Sequence, residues 1–432
     1  MSDVATLNNV RSHTRRGTLA LFFLTPVVIS AVPRLTWLFL PLIALALSVP
    51  VLRRRGEWRQ LFQPNAAFIA VLLVAIYIFL NATWAADQGA AFGAAALLLG
   101  LALFTLAACT AIAESDELQL RRAALAFTAG AFFGALFVLF ELLTKGLITR
   151  AVMNAIPLLQ PDSAKHVRFS NGEVTKIKYS VFNRNVAIVM FNLWPGLLVL
   201  RTIEDGTRRA FLTGLFLLAV AVPVIISTHD SSQVALIGSC LVFILAWTWR
   251  RPVIRALAVL WCAAFVLVLP VNFLAYKADL HLAPWLPTSA RARVIIWEYT
   301  SERVLDHPWL GIGADSTPAL KTPRGVAEQP KGYVWPRMTG WHAHSLFLQT
   351  WYELGVAGVI LMAFAGAAVV LRISLLPFEA QPFAAATFAV FVAIAAFAWG
   401  MWQPWLMCAV GLVLLYIRMA AGTVQGGTRN PA

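Results

Sequence analysis

The chain has 432 residues, of which 60% are hydrophobic and only 12% charged. A soluble domain carries about 25% charged residues, so this composition excludes a water-soluble globule, a disordered chain and a fibrous repeat. The formal net charge of +14 comes from 34 Lys and Arg against 20 Asp and Glu, and these residues are dispersed between apolar runs, which argues against a nucleic-acid partner.

A membrane-spanning helix needs about 20 apolar residues. Suitable stretches run at about 17–33, 35–52, 66–86, 89–113, 123–143, 185–200, 210–228, 231–249, 256–275, 345–371, 380–400 and 402–417. The sequence thus predicts an all-α integral membrane protein with about twelve transmembrane helices. Arg11, Arg15 and Arg16 precede the first stretch without a convincing cleavage site, which points to a retained signal anchor. Cys109, Cys240, Cys262 and Cys408 all lie within apolar runs, unsuited to a disulfide framework or a zinc site.

Basic residues follow every even-numbered stretch: Arg53, Arg54, Arg55 and Arg59; Arg121 and Arg122; Arg201, Arg208 and Arg209; Arg250, Arg251 and Arg255; Arg372; and Arg418. By the positive-inside rule these exits and both termini are expected in the cytoplasm. The opposite, non-cytoplasmic side then receives two long segments, and the chain divides as 1–143, 144–184, 185–275, 276–343 and 344–432.

The first long segment breaks the charge rule, with Lys145, Arg150, Lys165, Arg168, Lys176, Lys178 and Arg184 against only Asp162 and Glu173. Capture of an anionic ligand would explain the excess; so would contact with lipid phosphates, or tolerance of a long translocated loop. Asn171-Gly172 between β-prone flanks predicts a small hairpin, because both turn residues accept positive φ. Arg184 is expected in the first turn of the next helix, where a cation makes sense if an anion also fills the helix N-terminus.

In the second segment, Thr288-Ser289 is a plausible N-cap for an amphipathic helix carrying Arg291, Arg293 and Trp297. The guanidinium fork matches phosphate oxygens. The alternative is a surface helix whose arginines snorkel or pair with Glu298 and Glu302. Pro308-Trp-Leu-Gly-Ile-Gly313 should end this helix in a rigid turn. His342 and His344, at i and i+2, do not share a helix face, and no carboxylate cluster or HExxH pattern is present, so no metal is expected. Placed at a helix N-terminus, His344 would stay neutral and suit a general base for a sugar hydroxyl, or it would merely pack at the interface. Glu353 lies within an apolar run, too far along an ideal helix to partner His344, and reads as a structural group bonded to a neighbouring helix.

His344-Ser345, nine further residues and Gly355-Val-Ala-Gly358, preceded by Arg293-Val-Ile-Ile-Trp297 and Pro308–Gly313, together resemble the O-antigen ligases and their polymerase relatives. The similarity covers about residues 180–360. One departure is Asp230-Ser231-Ser232-Gln233, where many members carry a Ser-Arg pair; this shifts weight onto Arg184. The resemblance implies a glycosyltransferase at the periplasmic face of a bacterial inner membrane, moving a glycan from undecaprenyl diphosphate to a sugar hydroxyl of lipid A-core, with no cofactor. It implies His344 as catalytic base, Arg184 and Arg293 as diphosphate ligands, and Arg291 as a further substrate contact. The alternatives are an O-antigen polymerase, a protein O-oligosaccharyltransferase and, in a different class, a transporter. Transport predicts charged or broken mid-membrane helices, whereas nearly all ionisable residues here fall in loops.

Overall fold

The computed structural model describes residues 2–55, 58–160, 166–321, 327–332 and 334–425. Asp162 and Lys165 of the first long segment lie outside them. The chain is a multi-pass helical membrane protein. Helices α1 (Ser2–Ala31), α2 (Thr36–Arg55), α3 (Ala66–Asn81), α4 (Gln88–Ala113) and α5 (Glu117–Leu143) form the first group. A short α6 (Leu147–Ala155) and a hairpin of β1 (Val167–Ser170) and β2 (Glu173–Ile177) follow. Then come α7 (Asn183–Phe191), α8 (Leu193–Leu200), α9 (Gly206–Ile226), α10 (Asp230–Thr248) and α11 (Arg250–Lys277). The short α12 (Thr288–Val304) precedes α13 (Leu346–Leu371), α14 (Gln381–Phe397) and α15 (Pro404–Gln425).

Among the described residues, nine helices are long and apolar enough to cross a membrane, and Arg16–Ala31 and Gln381–Phe397 are shorter apolar helices. The expected stretch at 185–200 is α7 and α8, broken at Asn192. Pro195 explains the break, since it has no N–H for the carbonyl four residues earlier. Asp87, Asp116, Asp205 and Ser345 each cap their following helix by accepting a backbone N–H.

Long-range contacts sort the loops onto two ends. At one end Arg54 donates to Glu114 O, Arg121 to Thr202 O, and Arg250 to Phe378 O, while Arg201 pairs with Glu379 at 3.4 Å. The basic exits expected on one side therefore do share one end of the bundle. At the other end Asn185 Nδ2 donates to Ser30 O and Ala31 O, and Thr36 Oγ1 to Trp405 O. The hairpin stands at this end. Asn171 (φ 51°) and Gly172 (φ 78°) form its turn as expected. The pairing shifts between Arg168 and Phe169, where Thr175 bulges out between Val174 and Lys176.

The segment after α12 does more than terminate a helix. Pro308–Gly313 threads against a kink in α13 at Gly355, whose φ of 62° and ψ of −166° interrupt the helix. Ile312 N donates to Tyr352 O (3.2 Å), Gly313 N to Glu353 O (2.9 Å), and Val356 N to Pro308 O (2.8 Å). A Cβ on Gly311 would stand 2.3 Å from Glu353 O, and one on Gly355 2.4 Å from the Trp309 carbonyl carbon. Two glycines are thus required for two backbones to touch. Irregular backbone this far inside an apolar bundle survives only where protein satisfies it. Here Tyr77 and Asn81 of α3 supply donors to Leu310 O, and Asn81 Oδ1 accepts from Ala314 N.

Candidate active site

The hairpin end gathers three histidines and several arginines from separate elements. His344 lies just before α13 with φ 52°. That left-handed turn sets its ring beside that of His342, with centroids 4.1 Å apart. Neither histidine is helical, so the helix-face argument that separated them does not apply; their loop brings them together. Trp297 of α12 fixes the intervening residue, donating Nε1–H to Ala343 O at 2.9 Å.

His344 Nδ1 stands 2.6 Å from Ala398 O at the end of α14. A carbonyl only accepts, so Nδ1 carries the proton and Nε2 presents a lone pair. Burial lowers the His344 pKa below the ordinary histidine value, opposed by this carbonyl and reinforced by Arg293. His342 is pushed down to about 3 by burial, with the charges of His344, Arg184 and Arg293 adding to it. Both imidazoles are therefore neutral near pH 7. The expected neutrality holds, with burial rather than the helix dipole as its main cause.

The third histidine, His229, caps the backbone entry to α10 and is only 5% exposed. Its Nδ1 lies 2.6 Å from Ser232 Oγ, and its ring stacks on Trp399 at 4.7 Å. Burial and Arg293 push it down to about 3. Trp399 meets Trp405 edge-on at 4.8 Å, and the Arg184 guanidinium lies 5.9 Å from the Trp405 ring centroid. Sequence reasoning missed His229, Trp399 and Trp405. The only signal was that His229 immediately precedes the stretch that departs from the family pattern.

The arginines are placed as follows. Arg184 occupies the first turn of α7, as expected. Arg34, between α1 and α2, is near enough for its charge to act against that of Arg184. Arg293 feels Asp230 as its opposing charge, and burial lowers its pKa. Arg291 sits at the start of α12, where one guanidinium nitrogen donates to Thr288 Oγ1 at 3.4 Å. The cap expectation is corrected here: α12 begins at Thr288 after Pro287 and has no side-chain cap, Thr288 Oγ1 being turned to Arg291. Glu298 and Glu302 pair with Arg337 at 2.8 and 2.7 Å, leaving neither to neutralise Arg291 or Arg293. Among the described residues, Nε of Arg184, Arg291 and Arg293 and Nε2 of His342 are buried and find no hydrogen-bond partner. A buried polar atom left unpaired costs about 1–3 kcal/mol, so four such atoms at one end make this the candidate ligand site.

Beneath the site, Glu353 is fully buried. Its carboxylate accepts from Asp315 N (3.0 Å), Thr317 N (3.3 Å), Thr317 Oγ1 (2.5 Å), Gln349 Nε2 (3.1 Å) and Trp402 Nε1. Gln349 Oε1 in turn accepts from Met401 N at 3.1 Å. The network therefore holds the α14–α15 turn that supplies the Ala398 carbonyl. At Gly400 in that turn, a Cβ would lie 2.9 Å from His342 Cβ. The structural reading of Glu353 agrees with these contacts, although its partners come from a loop and a turn as well as from its own helix.

A family model described as O-antigen ligase matches residues 211–363. That span contains His229, Arg293, His342, His344 and the Gly355 kink. A Rickettsia conorii protein provisionally named a polysaccharide ligase is 26% identical over 263 residues, covering 58% of this chain and 61% of the relative. The chain thus spans under two thirds of the length of the curated relative it matches. Arg184 lies outside the matched family segment but is brought to the same buried cluster by α7. The match over 211–363 and the similarity to the Rickettsia protein thus make this part of the chain similar to the O-antigen ligase family.

Proposed function

We propose that this protein is an inverting, metal-independent glycosyltransferase. It moves a glycan from undecaprenyl diphosphate to a sugar hydroxyl of lipid A-core on the periplasmic face of a bacterial inner membrane. The observation that carries this reading is the juxtaposition of a neutral His344, whose Nδ1–H donates to Ala398 O, with buried arginine nitrogens that lack partners.

In the proposed step, Arg184 and Arg293 bind the diphosphate oxygens, with Arg291 as an outer contact. His344 Nε2 removes the proton from the acceptor hydroxyl as its oxygen bonds to the anomeric carbon. The bond from that carbon to the diphosphate oxygen breaks, and its electron pair leaves with undecaprenyl diphosphate, whose growing charge the guanidinium groups stabilise. Attack opposite the leaving group inverts the anomeric centre. The contiguous rings of His229, Trp399 and Trp405 offer an aromatic wall for the sugars between the two substrates.

The decisive experiment supplies purified protein with lipid-linked glycan and either lipid A-core or a second lipid-linked glycan, in EDTA. Joined lipid A-core product is expected. Product only with the second lipid-linked glycan would make the protein a polymerase, and strict dependence on a divalent ion would remove the mechanism.

A further inference from the structure

The helix α6 was not anticipated by the sequence reading and has no part in the site above. It is short, about 13 Å by helix rise, yet each of its sides has a distinct neighbour. Glu141, at the end of α5 and fully buried, accepts from Ile148 N and Thr149 N at 2.9 Å each and from the Thr149 hydroxyl. A carboxylate at its N-terminus therefore pins α6 to the last turn of α5. Gly146, in the left-handed region at φ 79°, turns the chain between the two helices.

The polar side of α6 holds the hairpin. Arg150 Nη1 donates to Thr175 O at 2.9 Å, the carbonyl of the bulged residue, and Asn154 Oδ1 accepts from Val174 N at 2.8 Å. Met153 packs on the main core. The remaining side carries Ile148, Val152 and Ile156, exposed by 41%, 41% and 48%, and runs on into Leu158, exposed by 92%. Lys145, Arg168, Lys176 and Lys178 are exposed around it, and none is ion-paired among the described residues. Glu173 is the one described acid exposed in this segment.

An apolar ridge beside unpaired cations, fixed level with the ends of the spanning helices, has the two chemistries of a membrane surface together. We propose that α6 and Leu158 insert into the leaflet at the hairpin end, while the hairpin cations bind the phosphates of anionic phospholipid. The occupant is the bilayer itself. Its effect is to hold the hairpin, and through Tyr179–Phe182 the start of α7, at a set depth in the boundary.

The test uses the full chain with its native cysteines replaced and a bimane label at Val152→Cys or, as reference, at the hairpin tip Asn171→Cys. Each is reconstituted into phosphatidylethanolamine vesicles, with or without phosphatidylglycerol, containing bromine-labelled acyl chains. Bromine quenching is expected at Val152 and not at Asn171, and phosphatidylglycerol should increase it. Lys176→Gln and Lys178→Gln should each raise the phosphatidylglycerol needed for half-quenching about fivefold. Quenching at Val152 by aqueous iodide instead would overturn the proposal. So would protection from both quenchers with cross-linking between copies, or bromine quenching that requires a phosphorylated glycolipid in place of phosphatidylglycerol. Leu158→Asp should weaken bromine quenching at Val152 while leaving the elution profile unchanged; undiminished quenching would equally overturn it.

Discussion

Glu353 and Arg293 are both charged residues in largely apolar surroundings, and they are treated in opposite ways. The Glu353 carboxylate meets five donors from α13, the Asp315–Thr317 loop and Trp402. The Nε atoms of Arg184 and Arg293, near the histidines, meet none among the described residues. A satisfied network rigidifies, and an unsatisfied one waits for its partner. The contrast separates a satisfied carboxylate network below from the unsatisfied arginines of the candidate site above it.

The comparison breaks first at His344. Replacing it with Ala should reduce glycan transfer by about 10²–10⁴-fold, the range for a general base, with an unchanged thermal transition. Retained turnover would return His344 to packing. Next, Arg293→Ala and Arg184→Ala should each slow transfer about 10²–10³-fold. Lys should rescue poorly, because a point charge cannot replace the fork, and equal rescue would show that charge alone matters. Each change should lower stability by less than the Glu353 substitution, since the Nε atoms removed are unsatisfied.

Glu353→Ala should do the reverse, lowering stability by about 3 kcal/mol through the donors it strands, as measured by thermal unfolding in detergent. A fully stable variant would sink the scaffold reading. The last effect concerns pH. His342 and His229 are held at about 3 in the folded protein, below the unfolded value near 6.5. Below that value the unfolded chain binds protons that the folded protein refuses, so stability is fully present above about pH 6.5 and drains away as pH falls towards 3. His342→Asn should flatten the transition temperature measured across that window, and an unchanged slope would show that His342 is not the titrating group.

Much of this was legible beforehand. The turn at Asn171-Gly172 is encoded in two adjacent residues, and Arg184 at a helix start in a few more. The basic exits announced a shared end because each belongs to one short loop. The pairing of Arg337 with Glu298 and Glu302 was not legible, because it crosses from one end of a long segment to the other. Nor was α6, whose start is fixed by Glu141 from the preceding helix rather than by a cap of its own.

By itself, the amino-acid sequence determined the membrane class, the approximate spans, the hairpin and the residue types available for phosphate and proton chemistry, since all of these are local properties of composition and spacing. Only the tertiary structure decided which of those residues meet. His344 finds its carbonyl 54 positions away, Asn185 finds Ser30 across 155, and Thr36 finds Trp405 across 369. Helical periodicity carries no information over such separations. The contacts follow from burial of whole helix faces, which selects one arrangement of the bundle and with it the tautomer of His344.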